Sequence, residues 1–283
     1  MADLLIERFE AMPPQLQIAA RFVLDHPQDV ALISMREQAQ RAGVSHTTMM
    51  RLARWLGLDG YEEVRDLYSK ALREKSSSST QPAVRPGEGD ARHAAVSLVV
   101  DALAGQVARF GEYLNAVQLV AAADALFQSR NLFSLGLRSE HPVAYHFADV
   151  MSQLGRSVAL VDAPGGRGID VLRRAGEGDA ILAVGMEPYA RATIEIASRA
   201  ARQGLTVIAV TDSSVSPLAR LAKESVLVTC HSQSFFKSIT PALAAVEILA
   251  ALVAVKAGGD AGEAVEKLER ELAALDVYWR PTG

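Results

Sequence analysis

Two different hydrophobic rhythms run along this chain. Between Pro14 and His26, the residues Leu16, Ala19, Ala20, Val23 and Leu24 recur at helical spacing and predict one apolar stripe, with Pro27 as a stop signal. Every periodic segment up to residue 75 reads as helix. Beyond residue 90 short β-branched runs alternate with helical stretches, and strands are predicted at Asn131–Leu135, Ser157–Val161, Asp179–Val184, Leu205–Val210 and Ser225–Thr229. Strands separated by helices imply right-handed βαβ connections, hence a doubly wound, five-stranded parallel sheet. The stretch KSSSSTQPAVRPGEG, Lys75 to Gly89, is too poor in apolar side chains to offset the entropy of ordering and predicts a linker. The expected organisation is an all-α domain over 1–75, a linker over 76–90 and an α/β domain over 91–283 with flanking helices.

Within the α-helical part, Ser34-Met-Arg-Glu37 has the spacing of a capping box, with Ser34 accepting from a backbone N–H three residues on and Glu37 reaching back. The helix so begun runs to Ala42. Gly43 supplies a left-handed stop, and Ser45 caps the next helix two residues later. Ala39, Val44, Met49 and Leu52 fall at the inward positions of two short helices meeting at a tight corner, the spacing of a helix-turn-helix. Outside remain Ser45, His46, Thr47, Thr48, Arg51 and Arg54, donors and acceptors near the helix start and cations further along. That face suits base edges and phosphates of a major groove, with Thr48 and Arg51 as the leading candidates. The competing reading is a solvated face of a trihelical interaction module. Trp55, Leu56 and Tyr61 read as packing residues.

A net charge of −4 gives the whole chain no pull toward nucleic acid, so the charge has to be read locally. Between Ser34 and Leu56 stand four arginines against the single acid Glu37, enough for a cationic face. Composition, with 49% hydrophobic and 22% charged residues, is that of a globular protein. Asp3, Glu7 and Arg8 interrupt the start of the chain, so no signal peptide is expected there. The Ala-rich run Ala242–Val255 contains Glu247, falls short of the ~20 residues of a bilayer span and reads as a buried helix, with no membrane role expected. The single cysteine, Cys230, fits a cytoplasmic setting and a filler role at a strand end. No phosphate loop, zinc spacing or nucleophile elbow is present, so no metal, cofactor or catalytic residue is expected.

The segment SMREQAQRAGVSHTTMMRLARWLGLDGYEEVRDLY resembles the N-terminal domain of the MurR/RpiR family of bacterial transcriptional regulators. In that family GVS-x-x-T-hydrophobic-x-R is followed by LG-hydrophobic-x-G-aromatic. Here these positions hold Gly43, Val44, Ser45, Thr48, Met49 and Arg51, then Leu56, Gly57, Leu58, Gly60 and Tyr61. The resemblance implies double-stranded operator DNA as partner. Over about residues 125–260 the chain resembles the sugar isomerase (SIS) domain that follows in those proteins, best at the Gly136–Ser139 turn, the strand LTVIAVTDS and Ser216-Pro217-Leu218-Ala219, read as a helix start. This implies recognition of a phosphosugar as effector.

In open parallel sheets ligands sit at the carboxyl ends of the strands. There the sequence places Gly136, Arg138, Ser139 and Glu140 after the first strand, Glu187, Tyr189, Arg191 and Thr193 after the third, and the polar loop Thr211–Pro217 after the fourth. The family's Ser-x-Ser-Gly-x-Thr phosphate loop is replaced by Gly185, Glu187, Pro188 and Ala190, so three hydroxyls are missing. Two ligand classes stay open: an acidic or phosphorylated sugar gripped by Arg138 and Arg191, or an unphosphorylated polyol or amine held by Glu140 and Glu187. His141 and His146 read as exposed or packing residues, and the loop Ala163–Gly168 as a plain turn or a flap. A sugar-phosphate isomerase using Glu140 or Glu187 as base is the alternative from another class, and a ligand-free adaptor a third. A helix-turn-helix module gains affinity by pairing across half-sites, so a homodimer or homotetramer is expected. The helices over Ala94–Phe127, Pro241–Val255 and Gly262–Leu275 supply either subunit contacts or packing within the domain.

Overall fold

Proline opens helices in this chain as well as closing them. In the computed structural model, which describes residues 1–75, 91–162, 168–230 and 237–279, the N-terminal helices are α1 (Ala2–Arg8), α2 (Pro14–Asp25), α3 (Pro27–Leu32), α4 (Met35–Arg41), α5 (His46–Trp55) and α6 (Tyr61–Lys75). Pro14 and Pro27 each take the first helical position, where the ring fixes a helical φ and the missing N–H is not needed. Pro27, expected only to stop α2, therefore also starts α3. The linker 76–90 and most of the loop Ala163–Gly168 lie outside the described residues.

α2 packs on α5 and α3 on α6, burying Leu16, Val23, Val30, Met49, Leu52 and Val64 in one core. Gln38 on α4 is completely buried. Its Nε2 donates to the carbonyls of Val30 at 3.1 Å and Ile33 at 2.9 Å, and its Oε1 accepts from Tyr61 Oη at 2.6 Å. One amide thus ties α3, α4 and α6 together, and all of its heavy polar atoms are satisfied away from water. Burial pushes the Tyr61 hydroxyl above its ordinary pKa, so it stays a donor.

The second compact unit carries the sheet. Its elements are α7 (Ala91–Ala108), α8 (Tyr113–Gln128), β1 (Leu132–Leu135), α9 (His141–Gln153), β2 (Val158–Val161), β3 (Ala180–Gly185), α10 (Arg191–Arg202), β4 (Thr206–Thr211), β5 (Glu224–Leu227), α11 (Thr240–Ala257) and α12 (Gly259–Ala274). The five strands are all parallel, as the alternating pattern predicts, and lie in the order β2-β1-β3-β4-β5. Side-chain alternation divides the core: Ala180, Leu182 and Val184 face α8, α9 and α11, while Ile181 and Ala183 face α10 and the turn Gly168–Arg174. Asn131 and Asp179, placed in strands by pattern, lie just before them. There the Asp179 carboxylate accepts from Asn131 Nδ2 at 2.9 Å, Arg130 Nε at 3.2 Å and the Gly176 N–H at 3.0 Å, closing the amino edge of the sheet.

Residues 216–221 form successive turns rather than the predicted helix start. α11 is the one helix among the described residues long and apolar enough to cross a membrane, with mean hydropathy 1.7 over 18 residues. Its Ala242, Ala245, Val246, Leu249, Ala250 and Val253 are buried in the sheet's core, as the reading of a buried helix anticipates.

Because Gln38→Leu strands the Val30 and Ile33 carbonyls and the Tyr61 hydroxyl, it is expected to destabilise the helical unit by about 2–3 kcal/mol, against about 1 kcal/mol for Tyr61→Phe. Urea unfolding followed by circular dichroism reads the difference.

Candidate functional site

The corner between α4 and α5 is built by three local devices. Ser34 Oγ accepts from the Glu37 N–H at 3.3 Å, which starts α4. The other half of the expected capping box is replaced: the Glu37 carboxylate accepts from Arg41 at 2.8 Å, and Arg41 also reaches Asp29 at 2.9 Å. Gly43, at φ +67°, reverses the chain, with the Val44 N–H donating to the Ala39 carbonyl at 3.0 Å. Ser45 Oγ then accepts from the Thr48 N–H at 3.1 Å and caps α5.

α5 buries Met49, Leu52 and Ala53 and leaves Ser45, His46, Thr47, Arg51 and Arg54 exposed. Thr48 departs from the expectation of an outward reader. It is 6% exposed, and its hydroxyl lies 2.9 Å from Ser45 Oγ, so it braces the cap from inside. Its position, three residues after the cap, carries it onto the inner side of the first turn. Arg36, one of the four arginines of the expected cationic face, is exposed on α4, as is Gln40. Arg41 is committed to its two acids.

At the carboxyl edge of the sheet, the turn after β1 presses against the start of α9. A Cβ on Gly136 would lie 2.6 Å from the Glu140 carbonyl oxygen, so the close approach itself demands glycine. Ser134 Oγ donates to the Ala144 carbonyl at 2.8 Å and fixes the same junction from inside. Arg138 sits at φ +61°, an uncommon conformation for an arginine, with its side chain exposed. Glu140 is 8% exposed, and Ser139 Oγ donates to it at 3.0 Å. Burial pushes the Glu140 carboxyl above the usual range against that hydrogen bond, and the charge of Asp212 pushes the same way while Lys237 opposes it.

After β3 and β4 the loops are laced together. Thr211 Oγ1 donates to the Gly185 carbonyl at 2.8 Å and lies 3.0 Å from Ser216 Oγ. The Asp212 carboxylate accepts from the Glu187 N–H at 2.9 Å and from Tyr189 Oη at 2.8 Å, and Lys237 Nζ donates to the Glu187 carbonyl. Thr193 is 1% exposed, and its Oγ1 has no hydrogen-bond partner among the described residues. Of the predicted residues, Glu187 and Tyr189 share this network with Asp212, and Glu140 lies within its electrostatic reach. Arg191 points away: it is 91% exposed and paired with Glu195 at 2.7 Å. Asp212 stood in a loop that the sequence places at the edge, but its carboxylate gives no periodic signal; Lys237 follows the last strand at a distance no motif sets. Cys230 is buried and its thiol is pushed up to about 12, first by burial and then by the charge of Asp212, which makes it a filler and not a nucleophile.

Residues 4–75 match the model for the helix-turn-helix domain of the rpiR family, and residues 125–252 match the SIS domain. A regulator of the helix-turn-helix type from Caldanaerobacter subterraneus subsp. tengcongensis, itself uncharacterized, is 23% identical over 96% of this chain and 96% of its own. The transcriptional regulator HexR of Pseudomonas aeruginosa is 26% identical over 76% of this chain and 75% of its own. The structure of Vibrio vulnificus NanR complexed with ManNAc-6P shares the fold, with a TM-score of 0.55 at 18% identity over 96% of this chain and 98% of that one. Together the two domains define a transcriptional regulator in which a DNA-binding helix-turn-helix is joined to an α/β SIS domain. The chain belongs to the rpiR family of such regulators, as its GVS and LG motifs indicate.

Arg51→Ala is expected to weaken duplex binding about tenfold and to reduce the salt slope by about one, with thermal stability unchanged. Thr48→Val should leave the salt slope alone and cost about 1 kcal/mol of stability. Fluorescence anisotropy across a salt series, paired with thermal melts, separates the two roles.

Gly136→Ala is expected to destabilise the sheet unit by about 1–3 kcal/mol because a backbone carbonyl blocks the new methyl. Gly185→Ala meets the Leu218 Cδ1 atom at 2.8 Å, a side-chain end that can turn aside, and should cost less in the same melt.

Proposed function

We propose that the SIS domain of this regulator binds a small sugar-like metabolite, phosphorylated or not, at the carboxyl ends of β1, β3 and β4, and that binding changes how the protein holds its operator. The observation that carries this reading is the polar cluster at one sheet edge, where Asp212 accepts from the Glu187 N–H and the Tyr189 hydroxyl, Glu140 lies within its electrostatic reach and Thr193 stands beside Gly185. A related fold complexed with ManNAc-6P supports a carbohydrate class of effector. Gly136, Arg138 and Ser139 border the same edge and are candidate ligand contacts.

DNA is read by α5 through Ser45, His46, Thr47, Arg51 and Arg54, with Thr48 bracing the cap. The protein works in the cytoplasm as a homodimer or homotetramer. Exposed apolar side chains on consecutive helices, Val96, Leu98, Val99 and Val100 on α7 and Leu114, Val117 and Val120 on α8, support subunit pairing through this face. Ligand shifts the pairing only in so far as it prefers one arrangement energetically. The protein catalyses no reaction; Glu140, buried and raised in pKa, is the observation that favours the isomerase alternative, and turnover of an aldose or ketose phosphate by the purified protein would overturn the non-enzyme reading.

Gel shifts on operator DNA with and without candidate sugars are expected to show at least a fivefold change in affinity for the effector, matching a coupling of about 1 kcal/mol. Equal affinity under every condition would remove the switch. In Arg51→Ala the effector's thermal stabilisation should persist although operator binding is lost.

A further inference from the structure

Two donors of the loop after β3 that could serve an anion are engaged by a carboxylate of the chain itself. Asp212 Oδ2 takes the Glu187 N–H at 2.9 Å and Asp212 Oδ1 takes the Tyr189 hydroxyl at 2.8 Å, so both oxygens are held as a bound anion would be. Glu140 adds a second acid within electrostatic reach of Asp212, on a side chain only 8% exposed. Lys237 donates to the Glu187 carbonyl, and the exposed Arg191 is paired with Glu195. Beside Gly185 the Thr193 methyl lies 3.8 Å from where a Cβ would stand, and the hydroxyl of the same buried side chain has no partner among the described residues. A dianion entering here would have to displace Asp212 and then face its charge and that of Glu140, whereas a hydroxyl or ammonium group meets acceptors.

We propose that Asp212 acts as the resident anion of the β3 loop, and that the effector is a polyhydroxylated molecule without a phosphate, an uncharged polyol or an amino sugar, that donates to Asp212 and Glu140. This rests on the effector-site reading above and narrows it to one ligand class. Asp212 is then the residue that decides specificity, because it fills the position a phosphate would need.

The test uses the full chain and two sets of probes. Thermal shift and calorimetry are run with inorganic phosphate, and with paired probes: hexoses, hexitols and hexosamines against their 6-phosphates. In the wild type, inorganic phosphate should give no saturable shift, and an unphosphorylated probe should bind at least tenfold tighter than its phosphate. Asp212→Ser removes the carboxylate to which the Glu187 N–H and Tyr189 hydroxyl donate and should gain saturable phosphate binding. Asp212→Asn, which keeps the side-chain shape, should gain it more weakly and serves if the serine variant does not fold. A phosphorylated probe binding the wild type as tightly as its partner or tighter, or no gain of phosphate binding in either folded variant, overturns the proposal and leaves the effector site standing. No shift from any probe, with operator affinity unmoved by all of them, overturns the effector site and this inference with it.

Discussion

A parallel sheet covered on both faces imposes the layout of the C-terminal unit. All six residues of β3 are buried, so its peptide groups can be satisfied only by β1 and β4, and its side chains only by helices on either side. Because every strand points the same way, the loops following β1, β3 and β4 arrive together at one edge. Polar residues that are far apart in the chain meet there without any local motif to announce it. The bond from Thr211 to the Gly185 carbonyl then locks two of those loops to each other, which leaves Glu187 and Tyr189 within reach of Asp212.

The helical unit solves a different problem with the same physics. Its helices are short, and α4 and α5 have little area with which to fix their angle. Buried amide chemistry supplies what area does not: Gln38 holds α4 against α3 and α6, so that the corner at Gly43 presents α5 at a set inclination. A buried polar group of this kind is tolerable only when each of its atoms is paired, and here each is. Rigid support beneath Arg51 and Arg54 matters because a reader helix that can tilt loses its register on the duplex.

Charge distribution separates the two surfaces by function. The α5 face keeps arginines exposed and without acids between them, a surface suited to phosphates. The sheet edge does the reverse, bringing the carboxyl groups of Glu140 and Asp212 within electrostatic reach of each other. Across from the loop after β3, Asp212 takes up the Glu187 N–H and the Tyr189 hydroxyl, so the loop is tied to a carboxylate of its own chain.

Sequence alone determined the helix-turn-helix, because caps, a left-handed glycine and inward apolar positions act within a few residues of one another. It also determined the five strands and their parallel arrangement, since burial on both faces leaves unbroken apolar runs between helices. Only tertiary structure decided which way Thr48 faces, what Glu37 pairs with and where Asp212 sits. Thr48 looks like a reader by position and becomes a brace because the first turn of α5 rotates it inward. Gln38 carries no signal in the sequence, and its burial depends on Tyr61, 23 positions away, donating to its Oε1. The reason is common to these cases: a polar side chain has several partners of nearly equal worth along the chain, and the one it takes is fixed by which groups packing leaves beside it.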